Sequence, residues 1–189
     1  MHRRLLSGAA AAALVASQTL AVPGPAAAQQ QMKTVTTDTA ASPSAVMPPD
    51  LDFVLKAAMG GMEEVALGNL AAQKAGAAPV KQLAQHIVQE HTVANEELMA
   101  VAGKKGIQIP ASTSPASQTV AASMSELNGP RFDMAYVMQQ HGAHLATIAM
   151  FDHAAKHAMD PDVKAFAQKY LPKIQAHTAQ IEKAVQAMM

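Results

Sequence analysis

The sequence has no cysteine and no tryptophan, only two tyrosines and four phenylalanines, and charged side chains at just 15% of positions. The lack of cysteine excludes disulfides, thiolate metal sites and cysteine nucleophiles. Acidic and basic residues balance at fourteen each, with no basic patch large enough to suggest nucleic-acid binding, and no nucleic-acid partner is expected. Valine, isoleucine and phenylalanine are too scattered for a series of strands. Serines and threonines gather outside the apolar-periodic stretches, which leaves no nucleophile–base constellation and assigns no enzymatic activity. What remains is a chain that is half apolar, rich in alanine, and carries thirteen methionines. Such a composition favours helices, and the length suits one domain with a real core.

The chain opens with a basic start, Met1-His-Arg-Arg, followed by an apolar run from Leu5 to Val15 that continues, after a polar break, to Val22. Pro25-Ala26-Ala27-Ala28 then offers an A-x-A cleavage site. This pattern predicts a secretory signal peptide over 1–28, a mature chain beginning at Gln29, and no transmembrane segment after cleavage. The expected location is therefore periplasmic or secreted, with association to the cell envelope open and the oligomeric state undetermined. Residues 29–49 are mostly Gln, Thr, Ser, Ala and Pro and predict a disordered tether. The folded domain is expected over 50–189, with Asp50 as the N-cap of its first helix.

Apolar periodicity then marks four long helices. The first is expected over Leu51–Lys74; the second starts at Pro79 and runs to Lys104, with an inward stripe of Val80, Leu83, Ile87, His91, Ala94, Leu98 and Val101. A long connection follows, carrying a short helix near Gln118–Leu127 that Asn128-Gly129-Pro130 closes. The third long helix covers Phe132–His157 with Val137, His144, Ile148, Phe151 and Ala155 on one side. The fourth starts at Pro161, capped by Asp160, and buries Val163, Phe166, Tyr170, Ile174, His177, Ile181 and Val185; Pro172 within it predicts a kink or local break. Two antiparallel hairpins joined by one long crossover describe an all-α, ferritin-like four-helix bundle.

Polar residues on these stripes fall at one depth. The helix midpoints lie close to Glu64, His91 and His144, with His177 about 4 to 5 Å from its own midpoint at the helical rise. Glu64, His91, His144 and His177 are therefore the candidate metal ligands, with Glu63 competing for the place of Glu64, and Glu90 and His141 as secondary candidates. One carboxylate and three imidazoles suit a divalent zinc, iron, manganese or copper ion. They do not make a carboxylate-bridged di-iron site, because Val88 and Ile174 stand where Glu-x-x-His would need glutamates. The competing reading is a buried hydrogen-bond network in which every member must be paired. His86 with Glu90, and His153 with His157, are i,i+4 pairs expected on outward faces. Met59–Met62 and Met134–Met138 are candidate soft ligands, but methionine on a helix is usually core filler.

The run Phe53-Val-Leu-Lys-Ala-Ala-Met-Gly-Gly-Met62, with Glu64-Val65 and Leu67-Gly68 after it, resembles the opening of a bacterial family of secreted ferritin-like proteins of unknown function. Members are often labelled outer-membrane or periplasmic proteins. The likeness continues through Glu90-His91, Ala94-Asn95, Glu97-Leu98, Phe132-Asp133, Ala135-Tyr136, His144, Phe151, Lys164-Ala-Phe166 and Leu171-Pro172 to His177. The family pattern has Asp-His in the second and third helices; here these are Glu90-His91 and Ala143-His144, with Gln140 or His141 as substitutes for the second aspartate. The resemblance implies fold and location but no activity. The sequence therefore reads as an exported ferritin-like domain with a metal-binding or stress-related role. The alternative is a non-catalytic structural or interaction module of the envelope.

Overall fold

In a computed structural model that describes residues 46–188, five helices and no strands are present. The expected signal peptide and residues 29–45 of the expected tether lie outside the described residues. α1 covers Pro48–Lys74, α2 Ala78–Lys104, α3 Pro115–Ser125, α4 Gly129–His157 and α5 Pro161–Met188. α1 starts three residues before the expected Leu51. Pro48 and Pro49 open α1, where a missing N–H costs nothing, and Val46 is buried in the core. No helix among the described residues is long and apolar enough to cross a membrane.

Connections of three residues join α1 to α2 and α4 to α5, so each pair packs antiparallel. α1 also packs on α4, and α2 on α5. α3, in the long connection, lies against α1 and α4. It starts earlier than expected because the Ser114 side chain accepts the Ser117 N–H and Pro115 takes the first helical position. Asn128-Gly129-Pro130 opens α4 rather than closing α3. α5 passes through Pro172 as one helix with no break; the proline is on the exposed face.

Two aspartates fasten the two tight turns. Asp50 does not cap its own helix. Its buried carboxylate accepts the backbone N–H groups of Met159 and Asp160, at 2.9 and 2.7 Å, in the α4–α5 turn. Asp133, near the start of α4, does the same for Gly76 and Ala77 in the α1–α2 turn, both at 2.9 Å. Each satisfies two donors that the turn would otherwise bury unpaired. The second clamp needs close approach: a side chain at Gly76 would sit 3.0 Å from the Gly129 Cα, and Gly129 itself has φ of 57°.

The apolar core is divided in two. One cluster takes Phe53–Ala58 of α1, Leu98–Ala102 of α2, Phe151–Ala158 and Val163–Ile174. The other takes Leu67–Ala75, Val80–Ile87, Phe132–Val137 and Ile181. Between them, on all four long helices, the sequence places polar side chains: Glu64, His91, Gln140 with His144, and His177. The interior therefore has a polar slice between two apolar halves.

Candidate metal centre

His91 from α2, His144 from α4 and His177 from α5 meet in this slice. One ring nitrogen from each lies within 4.8 Å of those of the other two, and the ring centroids are 5.5 to 5.8 Å apart. His144 and His177 are buried and His91 is half-buried. Each has one enclosed ring nitrogen without a hydrogen-bond partner: Nε2 of His91, Nε2 of His144 and Nδ1 of His177.

The opposite nitrogens of two of these rings are held. His144 Nδ1 lies 3.0 Å from the Gln140 carbonyl one turn back, so it carries the proton and leaves Nε2 with its lone pair. His177 Nε2 lies 2.9 Å from Glu90 Oε2, so it donates to the carboxylate and leaves Nδ1 as the base. A carbonyl or carboxylate behind an imidazole fixes ring orientation and tautomer in the way metal-ligating histidines require.

Burial keeps the cluster uncharged. Loss of hydration pushes His91 down to about 3, helped by the charges of His177 and His144. It pushes His144 down to about 4, with His177 adding to the fall and the Gln140 carbonyl opposing it. His177 is also lowered by burial, against the pull of Glu90. Three neutral imidazoles around one point are a set of donors that needs no deprotonation to bind a cation at neutral pH.

The other predicted residues divide. Glu64 is buried, but its carboxylate is beside the triad rather than within it: Oε1 is 3.7 Å from His144 Nδ1, on the protonated side of that ring. Burial pushes its pKa up to about 8; the nearby Gln140 amide opposes this and the Glu63 charge adds to it. Glu63 turns away, accepting from Ser117 of α3. Glu90 belongs at the centre, behind His177. His141 does not: its Nε2 is 3.7 Å from Glu182, at the surface end of the helix pair. His86, expected on an outward face, is half-buried with its ring 5.4 Å from that of His177. With Glu90 and His177 it forms a second group of ligand atoms within 4.8 Å. His177 is common to both groups. His153 and His157 are exposed, as expected, and so are Met134 and Met138, which are not core filler.

Two further residues belong to the slice: Gln140, expected only as a substitute for the second aspartate of the family pattern, and Tyr136, which had no expected part in it. Gln140 is fully buried, and neither amide atom has a hydrogen-bond partner; the enclosed Tyr136 hydroxyl has none either. Burial and the Glu64 charge raise the Tyr136 pKa. Both lie on the same side of α4 as His144, at spacings of eight and four, which the sequence does display.

An all-helical domain with an enclosed histidine cluster between two apolar halves is the class that fold and site define. The chain belongs to the family described as "Domain of unknown function (DUF4142)", whose pattern matches residues 35–184. No curated protein matches it in sequence. Among solved structures it is similar to the crystal structure of a DUF305 fragment from Deinococcus radiodurans, at a TM-score of 0.67 and 17% identity over 75% of this chain and 98% of that one. At that identity the likeness concerns the fold.

Proposed function

We propose that the protein is an exported, ferritin-like four-helix bundle that holds one divalent metal ion on His91, His144 and His177. The observation that carries this reading is the convergence of three enclosed imidazoles, each with a nitrogen that no protein group satisfies. A purely structural network would pair those nitrogens, since an unmatched polar atom in the interior costs about 1–3 kcal/mol. Glu90 orients His177, the Gln140 carbonyl orients His144, and Glu64 stands next to the triad. Nitrogen-rich donors place copper(II) and zinc(II) above iron(II) and manganese(II) in affinity. Three protein ligands also leave a position for an exogenous one, as at catalytic rather than structural zinc sites. The export part of the reading rests on the leader pattern of Met1–Ala28.

Thermal melting of chelated protein with each ion added in turn tests the metal reading. A ligand at a hundred times its dissociation constant stabilises by about 2.7 kcal/mol, a rise of roughly 5–10 °C for a domain of this size. At least one ion should give such a shift, and His144→Ala should abolish it. An unshifted wild type together with a strongly destabilised His144→Ala would identify the cluster as a hydrogen-bond network instead.

A further inference from the structure

The unmatched nitrogens of His91, His144 and His177 are enclosed, so an ion cannot reach them directly from solvent. A three-ligand group that does meet solvent stands next to them. His86 and Glu90 are one turn apart on α2, the i,i+4 spacing at which two helical side chains reach the same point. Their ligand atoms lie within 4.8 Å of each other and of one from His177. His86 is half-buried, and the Glu90 side chain is 29% exposed. His177, which both groups share, is buried, and its two nitrogens are placed differently: Nε2 is 2.9 Å from Glu90 Oε2, whereas Nδ1 is one of the enclosed, unmatched atoms.

We propose that His86, Glu90 and His177 form the entry seat for the metal ion, which passes from there to the triad through the shared His177 ring. This rests on the metal reading above. An ion arriving from solvent meets His86 and Glu90 first, an imidazole and a carboxylate that reach the surface. The His177 ring keeps one proton throughout: on Nδ1 while Nε2 faces the outer ion, and on Nε2 again once Nδ1 holds the inner one. No charge on the ring itself is buried at either stage. Lys173, with Nζ 3.7 Å from Glu90 Oε1, offsets the Glu90 charge at the outer seat. The triad, with its third imidazole, is therefore the resting place and the outer group a place of passage.

The test follows cobalt(II), a coloured stand-in for zinc(II), into the metal-free full chain by stopped-flow absorbance, with affinity measured by equilibrium titration. A seat passed on the way changes uptake and release by the same factor and leaves their ratio alone. His86→Ala should therefore slow both about tenfold, with the dissociation constant unchanged to within about threefold. Lys173→Gln removes the opposing charge beside the seat and should speed uptake about twofold. A general loosening of the fold would not move the two variants in opposite directions, and Lys173→Gln keeps the test intact if His86→Ala fails to fold. Uptake that His86→Ala leaves unchanged overturns the entry seat and spares the metal reading; so does uptake that is unchanged or slower in Lys173→Gln. Weaker equilibrium binding in His86→Ala, matching its loss of rate, would make His86 a ligand of the resting ion and also overturns the entry seat. A wild type that takes up no ion overturns both.

Discussion

Acidifying the metal-free protein from pH 6.5 to pH 4.5 should lower its stability by about 3 kcal/mol. In that window the unfolded chain protonates its histidines at their ordinary pKa, while burial holds His91 and His144 neutral down to about 3 and about 4. The unfolded state therefore binds more protons, and each of the two rings destabilises the fold by about 1.4 kcal/mol per pH unit as the pH falls. Over two units they cost about 5 kcal/mol, and His177, lowered by the same burial, adds to it. Glu64 works in the opposite direction. With its folded pKa raised to about 8, its contribution is fully present below the ordinary carboxylate value and is lost as the pH rises toward 8, so within this window it offsets about half of the histidine loss. Above pH 6.5 Glu64 acts alone, and stability should decline again toward pH 8. Urea denaturation with chelator present, in steps across pH 4.5 to 8, reads the whole profile. The maximum should lie near pH 6.5; His144→Gln should flatten the acid limb and Glu64→Gln the alkaline one. A flat profile, or an acid limb unaffected by His144→Gln, would refute the picture of buried neutral imidazoles.

Four further outcomes follow from the fold and the site. Asp133→Ala strips two backbone N–H groups in the α1–α2 turn of their acceptor and should cost about 2–3 kcal/mol in urea unfolding, with Asp133→Asn intermediate. Gly60→Ala should stabilise by about 0.5–1 kcal/mol, since an added Cβ meets nothing within 4 Å and the helix gains from alanine. Gly68→Ala should destabilise despite the same helical gain, because its Cβ would run into Val88 and approach the Ala84 carbonyl of α2 at 3.2 Å; equal melting temperatures for the two alanine variants would contradict that packing. Glu90→Gln keeps a hydrogen-bonding partner for His177 but removes the charge behind the ring, and should weaken metal binding about tenfold to a hundredfold by calorimetry.

The helices were legible because their stripes are unambiguous. Val163, Phe166, Tyr170, Ile174, His177 and Ile181 all proved buried on α5, and Val80, Leu83, Ile87, Leu98 and Val101 on α2. Depth was legible too, since rise per residue is fixed and the connections show which ends meet. Direction around the helix axis was not. Glu64 has the depth of the triad yet faces the protonated side of His144, and His86 with Glu90 faces α5 although a one-helix reading put both outside. Asp50 and Asp133 show the same limit. An aspartate at a helix start suggests a local cap, whereas these two reach across to the turn of the other hairpin, a partner more than fifty residues away. Such pairings depend on how helices sit against one another, which the period of a single helix does not encode.

The most direct measurement of the central claim is the metal content of untagged protein, exposed to zinc(II) or copper(II) and then freed of loose ions. The account predicts one ion per chain in the wild type, loss of that ion in His91→Ala, His144→Ala and His177→Ala, and retention in His153→Ala and His157→Ala. A wild type that carries no ion, or loading that survives His144→Ala and disappears with His153→Ala, would contradict it.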